Sequence, residues 1–170
     1  TLSHGSHSIK IRVYDNIEPI CEKPFTFTVD KEPPVFSSVT VASTKDSVTF
    51  SDIVASDAPA GLDPQNPYQY EIDGVSSSWL ASGSLLQING LQPNHQYNWK
   101  FRVRDRKGHV SERSGTVITK AEVPTLSLAS ATSSTADIQL NSQNPVDTQY
   151  LFRVQSSSWG PLSKYVNSSG

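Results

Sequence analysis

Lys100, Arg102, Arg104 and Arg106 fall on alternate positions of one run, with Lys107 beside them, and Lys10 with Arg12 repeats the theme near the start of the chain. Alternate residues of a β-strand share a face, so this is a line of cations of the kind that holds an anionic glycan or wall polymer. The same pattern describes a solvated strand face whose long side chains cover the sheet and pair with acids on neighbouring strands. The chain carries 14 Lys and Arg against 16 Asp and Glu, a formal net charge of −2, which favours the second description and argues against nucleic acid as a partner. Trp79 and Trp159 each close a Ser-Ser-Ser-Trp run. An exposed indole there would stack on a sugar ring, whereas packing over a sheet edge is the commoner fate. Lys100, Arg102, Arg104, Trp79 and Trp159 are therefore the candidate ligand-binding residues.

Other chemistry finds less support. Asp52, Asp57, Asp63 and Asp73 are carboxylates of the kind calcium takes, but they lie in separate turns without the compact spacing of a calcium loop, and Asp is itself a turn former. His4, His7, His95 and His109 are scattered, and His4 and His7 do not share a strand face, so no zinc set is expected. No serine sits in a G-x-S-x-G elbow or stands in a motif with an acid and a histidine. The expectation is a non-enzymatic chain with no catalytic residue, no metal and no cofactor. Cys21 is the single cysteine, so an intrachain disulfide is excluded. Its parity with Phe25 and Phe27 predicts a small buried apolar residue, the sharper alternative being a thiol free for intermolecular pairing.

The elements that would position these residues are strands. Ile9, Ile11 and Val13 alternate with Lys10, Arg12 and Tyr14, and Phe25, Phe27 and Val29 alternate with Thr26 and Thr28. Lys31-Glu32-Pro33-Pro34 breaks the pattern, because two prolines can neither donate to a ladder nor continue a helix. That junction is short and stiff, so neighbouring modules are expected to sit end to end with limited swing. Further strands are predicted around Val39 and Val41, over Ser47 to Phe50 and Tyr68 to Asp73, at Trp79-Leu80, around Leu86 and Ile88, over Tyr97 to Arg104 and Gly115 to Thr119. Ala136 to Leu140 and Gln149 to Gln155 follow after Val123-Pro124. Turn chemistry at Asp57 to Gly61, Asp73-Gly74, Asn89-Gly90 and Lys107-Gly108 separates them. There is no amphipathic helix of useful length, and no apolar run approaches the roughly 20 residues of a membrane helix.

The sequence also repeats itself. Ile9 to Asn16 (IKIRVYDN) returns about 90 positions later as Trp99 to Arg106 (WKFRVRDR), and Ser76-Ser77-Ser78-Trp79 returns about 80 positions later as Ser156-Ser157-Ser158-Trp159. The first echo matches the start of the chain to the end of its middle section, and the second matches the front of that section to the end of the chain. The predicted division is residues 1–32 as the closing strands of one module, 33–121 as a complete module and 122–170 as the opening strands of another. Thr1 as the first residue and the absence of methionine add the expectation of a segment of a longer protein.

Leu91-Gln92-Pro93-Asn94-His95-Gln96-Tyr97 resembles the L-x-P-x-x-x-Y corner that precedes strand F in fibronectin type III domains. Arg102 to Ser111 resembles the V-x-A-x-D-x-x-G-N-x-S ending of the bacterial branch of that family, with His109 where the pattern favours Asn. Gly61 to Tyr68 resembles its B–C connection, and Asn144 to Tyr150 its N-P-x-G-T-x-Y entry to strand C. Asp52 stands near the place where strand B usually carries a core tryptophan, and Trp99 is a candidate to supply the missing bulk. The resemblance implies an all-β chain of tandem immunoglobulin-like (fibronectin type III) β-sandwiches whose outer modules are incomplete, with Leu91, Pro93, Tyr97 and Trp99 as structural residues. It implies a buried Tyr97 whose hydroxyl ties to the backbone upstream.

The implied function is a spacer, stalk or adhesive filament of a bacterial cell-surface or secreted protein. The alternatives are an accessory spacer or glycan-binding module of a polysaccharide-degrading enzyme, and a phage tail or fibre component. Expected partners are neighbouring modules of the same protein, cell-wall or extracellular polysaccharide, and other copies of the chain joined head to tail. Nucleic acid and a membrane span are not expected.

Overall fold

The computed structural model describes residues 1–14, 19–81, 86–154 and 162–167, and these contain strands and no helix. In chain order the strands are β1 Gly5–Tyr14, β2 Pro19–Val29, β3 Val35–Ser43, β4 Ser47–Ser56, β5 Tyr68–Ile72, β6 Val75–Ser76 and β7 Leu86–Asn89. They continue as β8 Gln96–Arg104, β9 Val110–Ile118, β10 Thr125–Ala131, β11 Ala136–Asn141, β12 Gln149–Val154 and β13 Leu162–Asn167. Strands β3-β4-β7 form one sheet and β6-β5-β8-β9 another, while β1-β2, β10-β11 and β12-β13 are separate antiparallel pairs. Three strands in one sheet and four in the other, exchanged in chain order, is the division of an immunoglobulin-like sandwich of the fibronectin type III kind.

The chain gathers into two compact units, one of Thr1–Thr40, Ser51–Leu85 and Trp99–Gly115, the other of Val41–Phe50, Leu86–Asn98 and Thr116–Gly170. In the first, Phe36 of β3 meets Phe101 of β8 at a ring-centroid distance of 5.8 Å, and Tyr68 of β5 lies 6.1 Å from Phe101. Ile72 and Val103 complete this buried set. In the second, Val48 and Phe50 of β4 are fully buried, with Ser47, Tyr97 and Thr119 beside them in the interior of the unit. Burying a Phe or Val side chain contributes about 1.5–3 kcal/mol, so these few residues carry most of the packing energy.

Several strands run beyond the lengths their alternation predicts. Strand β4 continues past Phe50 to Ser56, and β9 begins at Val110 rather than Gly115. Trp79-Leu80 makes only a single bridge, Leu80 to Tyr68. Asp73 and Gly74, with φ of 45° and 83°, make the tight turn that returns β5 into β6, a conformation Gly and Asp tolerate best. Cys21 is exposed, against the expectation of a buried position. It pairs with Val13 across a two-stranded ribbon on which Ile9, Ile11, Val13 and Phe25 are themselves about half exposed, so matching parity does not bring burial there.

Gly115 on β9 is packed by Trp99 on the neighbouring β8. A Cβ at Gly115 would lie 2.9 Å from Trp99 Cζ2, closer than carbon atoms approach. Gly115→Ala is expected to destabilise the chain by about 1–3 kcal/mol in thermal or urea melts, and the double variant with Trp99→Phe to recover part of that loss.

Candidate functional site

The outward face of β8 is where the sequence concentrates its cations, and each is met by an acid. Antiparallel pairing of β5 with β8 sets Glu71 opposite Lys100 and Gln69 opposite Arg102. Arg102 Nη2 then donates to Glu71 Oε2 at 2.7 Å, Arg102 Nε to Glu112 Oε2 at 2.6 Å, and Arg102 Nη1 to Gln69 Oε1 at 3.0 Å. Lys100 Nζ lies 3.7 Å from Glu71 Oε1. Arg104 Nη2 reaches Asp63 Oδ2 at 2.9 Å, and its guanidinium sits 4.4 Å from the centre of the Trp79 ring. The Arg102 hydrogen bond, helped by Ser76 and Lys100 and opposed by burial, holds the Glu71 carboxyl below its ordinary range. The backbone N–H groups of Asn66 and Gln65, with Arg104, do the same for Asp63. Lys100, Arg102, Arg104 and Trp79 are thus brought together, but as a cross-strand ion-pair network with one Trp79 face stacked on a guanidinium. Trp159 lies outside the described residues.

The same pairing recurs on the first ribbon. Arg12 Nε donates to Glu22 Oε2 at 2.6 Å, with Lys10 Nζ 2.9 Å from Glu22 Oε1. Arg12 and Glu22 are separated by ten residues, as are Arg102 and Glu112. The sequence echo is therefore matched by an identical atom pair at an identical distance.

Leu91, Pro93 and Tyr97 form a corner between β7 and β8. Tyr97 is buried, and its hydroxyl oxygen accepts a hydrogen bond from the Gln92 N–H at 2.8 Å. Pro93 is buried and Leu91 half-buried, with the Leu91 N–H donating to Asp46 O at 3.0 Å. Asn94, at φ 47°, turns the chain so that its N–H reaches Lys120 O at 3.1 Å. Thr119 closes the corner from β9's end: its hydroxyl donates to Gln92 O at 2.6 Å and accepts from the His95 N–H at 3.0 Å. Nothing in the local pattern marks Thr119, because its partners lie more than twenty residues away. Trp99, offered as core bulk, is half-buried against Gly115.

Among the described residues, the groups placed to hold a metal ion are Asp30, Asp105 and His109, whose ligand atoms lie within 4.8 Å of one another. Sequence reasoning grouped Asp57 with Asp52, Asp63 and Asp73 instead. Asp63 is committed to Arg104, and Asp52, at φ 50°, is exposed with a hydroxyl contact from Ser51. The i, i+4 spacing of Asp105 and His109 within the Asp-x-x-Gly-His stretch was the available signal for the observed group.

No protein-family model matches the sequence, and no curated protein matches it. Among solved structures the chain is similar to the central fibronectin-III array of RIM-binding protein, at 18% identity over 96% of this chain, with a TM-score of 0.36. The chain spans 65% of the length of that structure's chain.

Two outcomes follow from the corner and the ion-pair face. Tyr97→Phe leaves the Gln92 N–H without its acceptor and is expected to cost about 1–2 kcal/mol in equilibrium unfolding. Glu71 has a depressed folded pKa, so its stabilisation is present above the ordinary glutamate range and is lost as pH falls through it. Melting temperature is expected to drop between about pH 5 and pH 3, and Arg102→Met to flatten that part of the profile while lowering stability at neutral pH.

Proposed function

We propose that this chain is part of a tandem array of fibronectin type III-like modules, divided at residues 1–32, 33–121 and 122–170. Its role is that of a structural spacer in a bacterial cell-surface or secreted protein. The observation that carries this reading is the recurrence of one ion pair, Arg12–Glu22 and Arg102–Glu112, at the same spacing and distance on two antiparallel strand pairs. A repeat with its side-chain contacts intact is the mark of one supersecondary unit used more than once. The cations of β8 are engaged by Glu71, Glu112 and Asp63, which supports a solvated structural face in preference to a stripe reserved for a polyanion.

The second junction supports a connection that resists bending: Lys45 Nζ of the middle module lies 3.3 Å from Glu122 Oε1, and Glu122 is itself held by the loop that follows β11. Glu122 Oε2 accepts from the Gln143 N–H at 2.7 Å, and the Glu122 N–H donates to Asn144 Oδ1 at 2.7 Å. Asn144 Nδ2 donates back to Glu122 O at 2.9 Å, and Asn94 Nδ2 reaches Thr148 Oγ1 at 3.0 Å. An array of such modules presents whatever lies beyond it at a set distance and has no need of a reaction. Neighbouring modules are its first partners. Other copies of the chain, or a surface polysaccharide, are further candidates for the half-exposed strands of β1 and β2.

Residues 33–121 expressed alone are expected to give a β-rich circular dichroism spectrum and a single cooperative melt. The full chain is expected to pass unretained over immobilised anionic wall polymer at physiological salt. A non-cooperative melt of the fragment would sink the modular division. Retention that Lys100→Ala and Arg104→Ala abolish would move the reading to a glycan-binding module.

A further inference from the structure

Away from the charge-paired face of β8, a group of acids is gathered against itself. Asp30 follows β2, Asp57 follows β4 and Asp105 follows β8, and all three belong to the same compact unit. The Asp30 side chain is 1% exposed and that of Asp105 0%. Both oxygens of Asp105 are bonded: Oδ1 accepts from the N–H groups of Lys107 at 2.7 Å and His109 at 2.9 Å, and Oδ2 meets His109 Nδ1 at 2.7 Å. Asp30 Oδ1 accepts from the Glu32 N–H at 3.3 Å and lies 3.4 Å from His4 Nδ1. Asp30 Oδ2 and Asp57 Oδ2, by contrast, are buried with no hydrogen-bond partner. Ionised carboxylates only accept, so two that meet out of water leave each other unsatisfied unless something positive lies between them. Burial first, and then the charge of Asp30, push the Asp57 carboxyl above its ordinary range.

We propose that Asp30 and Asp105, whose ligand atoms lie within 4.8 Å of each other, form a calcium site that Asp57 completes, with His109 holding Asp105 in position. Carboxylate oxygens from three separate segments suit a hard divalent cation, which takes about six to eight oxygens and completes its shell with water or carbonyls. The one imidazole at hand is already bonded to Asp105, and no thiolate joins the group, so the donor set is not the nitrogen- and sulfur-rich one zinc prefers. Asp105 Oδ2 has a second lone pair with which to meet the ion while keeping the His109 bond. The ion replaces mutual repulsion with attraction and ties the end of β2 to the loops that follow β4 and β8. Affinity of the order seen in extracellular calcium modules, about 10⁻⁴–10⁻³ M, is what three carboxylates without a dedicated loop would give.

The test melts the full chain in EDTA and in about 5 mM calcium, magnesium or zinc chloride at matched ionic strength, with a calorimetric calcium titration alongside. Calcium is expected to raise the melting temperature by about 3–6 °C. Asp57→Asn and Asp30→Asn should each abolish that rise. In EDTA each variant should be at least as stable as the native chain, since one of two opposed charges has been removed. No calcium response, an equal response in both variants, or a response to zinc alone overturns the site. So does the signature of a shared proton, in which native stability in EDTA climbs as pH falls from neutrality and calcium adds nothing. The groups facing that proton are Asp30, Asp105, His4 and His109, and Asp57→Asn would remove the climb.

Discussion

A strand presents alternate residues to opposite sides, and both sides of β8 are engaged. Tyr97, Phe101 and Val103 point inward and are buried, while Arg102 and Arg104 on the other parity are tied to Glu71, Glu112 and Asp63. A slip of one residue would carry guanidinium groups into the interior and aromatic rings onto the ion-pair face. Register is therefore held from two directions at once. The energies are unequal: full burial of Phe101 and Val103 contributes about 1.5–3 kcal/mol each, whereas the partly buried pairs of Arg102 with Glu71 and Arg104 with Asp63 give back much of their attraction as desolvation. Packing supplies the stability of this strand, and the charges exclude its competitors.

That asymmetry explains which parts of the fold could be read from residues alone. The apolar residues of β5 and β8 alternate with polar ones, and proline and glycine turns bound both strands, so period two is visible over Tyr68 to Ile72 and Tyr97 to Arg104, whereas β9 shows no such alternation. Strand ends were less legible, because β4 continues through Ser51 to Ser56 on ladder hydrogen bonds that any residue can make. Cys21 shows the opposite limit. Its parity was read correctly, but parity assigns a face and burial requires a second layer, which the β1-β2 ribbon does not itself contain.

The acids illustrate a different limit. Asp63 Oδ1 takes the N–H groups of Gln65 and Asn66 in its own turn, a local role, while its Oδ2 meets the distant Arg104. Asp30, Asp57 and Asp105 lie in three different connections, and only the topology brings their carboxylates to one place. Periodicity reports faces of single strands, and no window along the chain contains more than one member of this group. Tyr97 falls between the two cases: its L-x-P-x-x-x-Y corner is a local word, while Thr119, which closes the same corner, is contributed by a distant strand end.

Charge is arranged in two opposite ways within one small protein. On β8, and again on β1, a cation and an acid stand across a strand boundary at 2.6 Å, and the potential of each cancels within a few ångströms. At Asp30 and Asp57, one carboxylate oxygen of each is buried without a hydrogen-bond donor. The first arrangement costs little and adds little. The second carries a standing desolvation and repulsion penalty in the absence of a counter-charge, and a fold of this size keeps only about 5–15 kcal/mol of net stability to absorb it. An opposed pair of this kind makes the local structure responsive to whatever neutralises it.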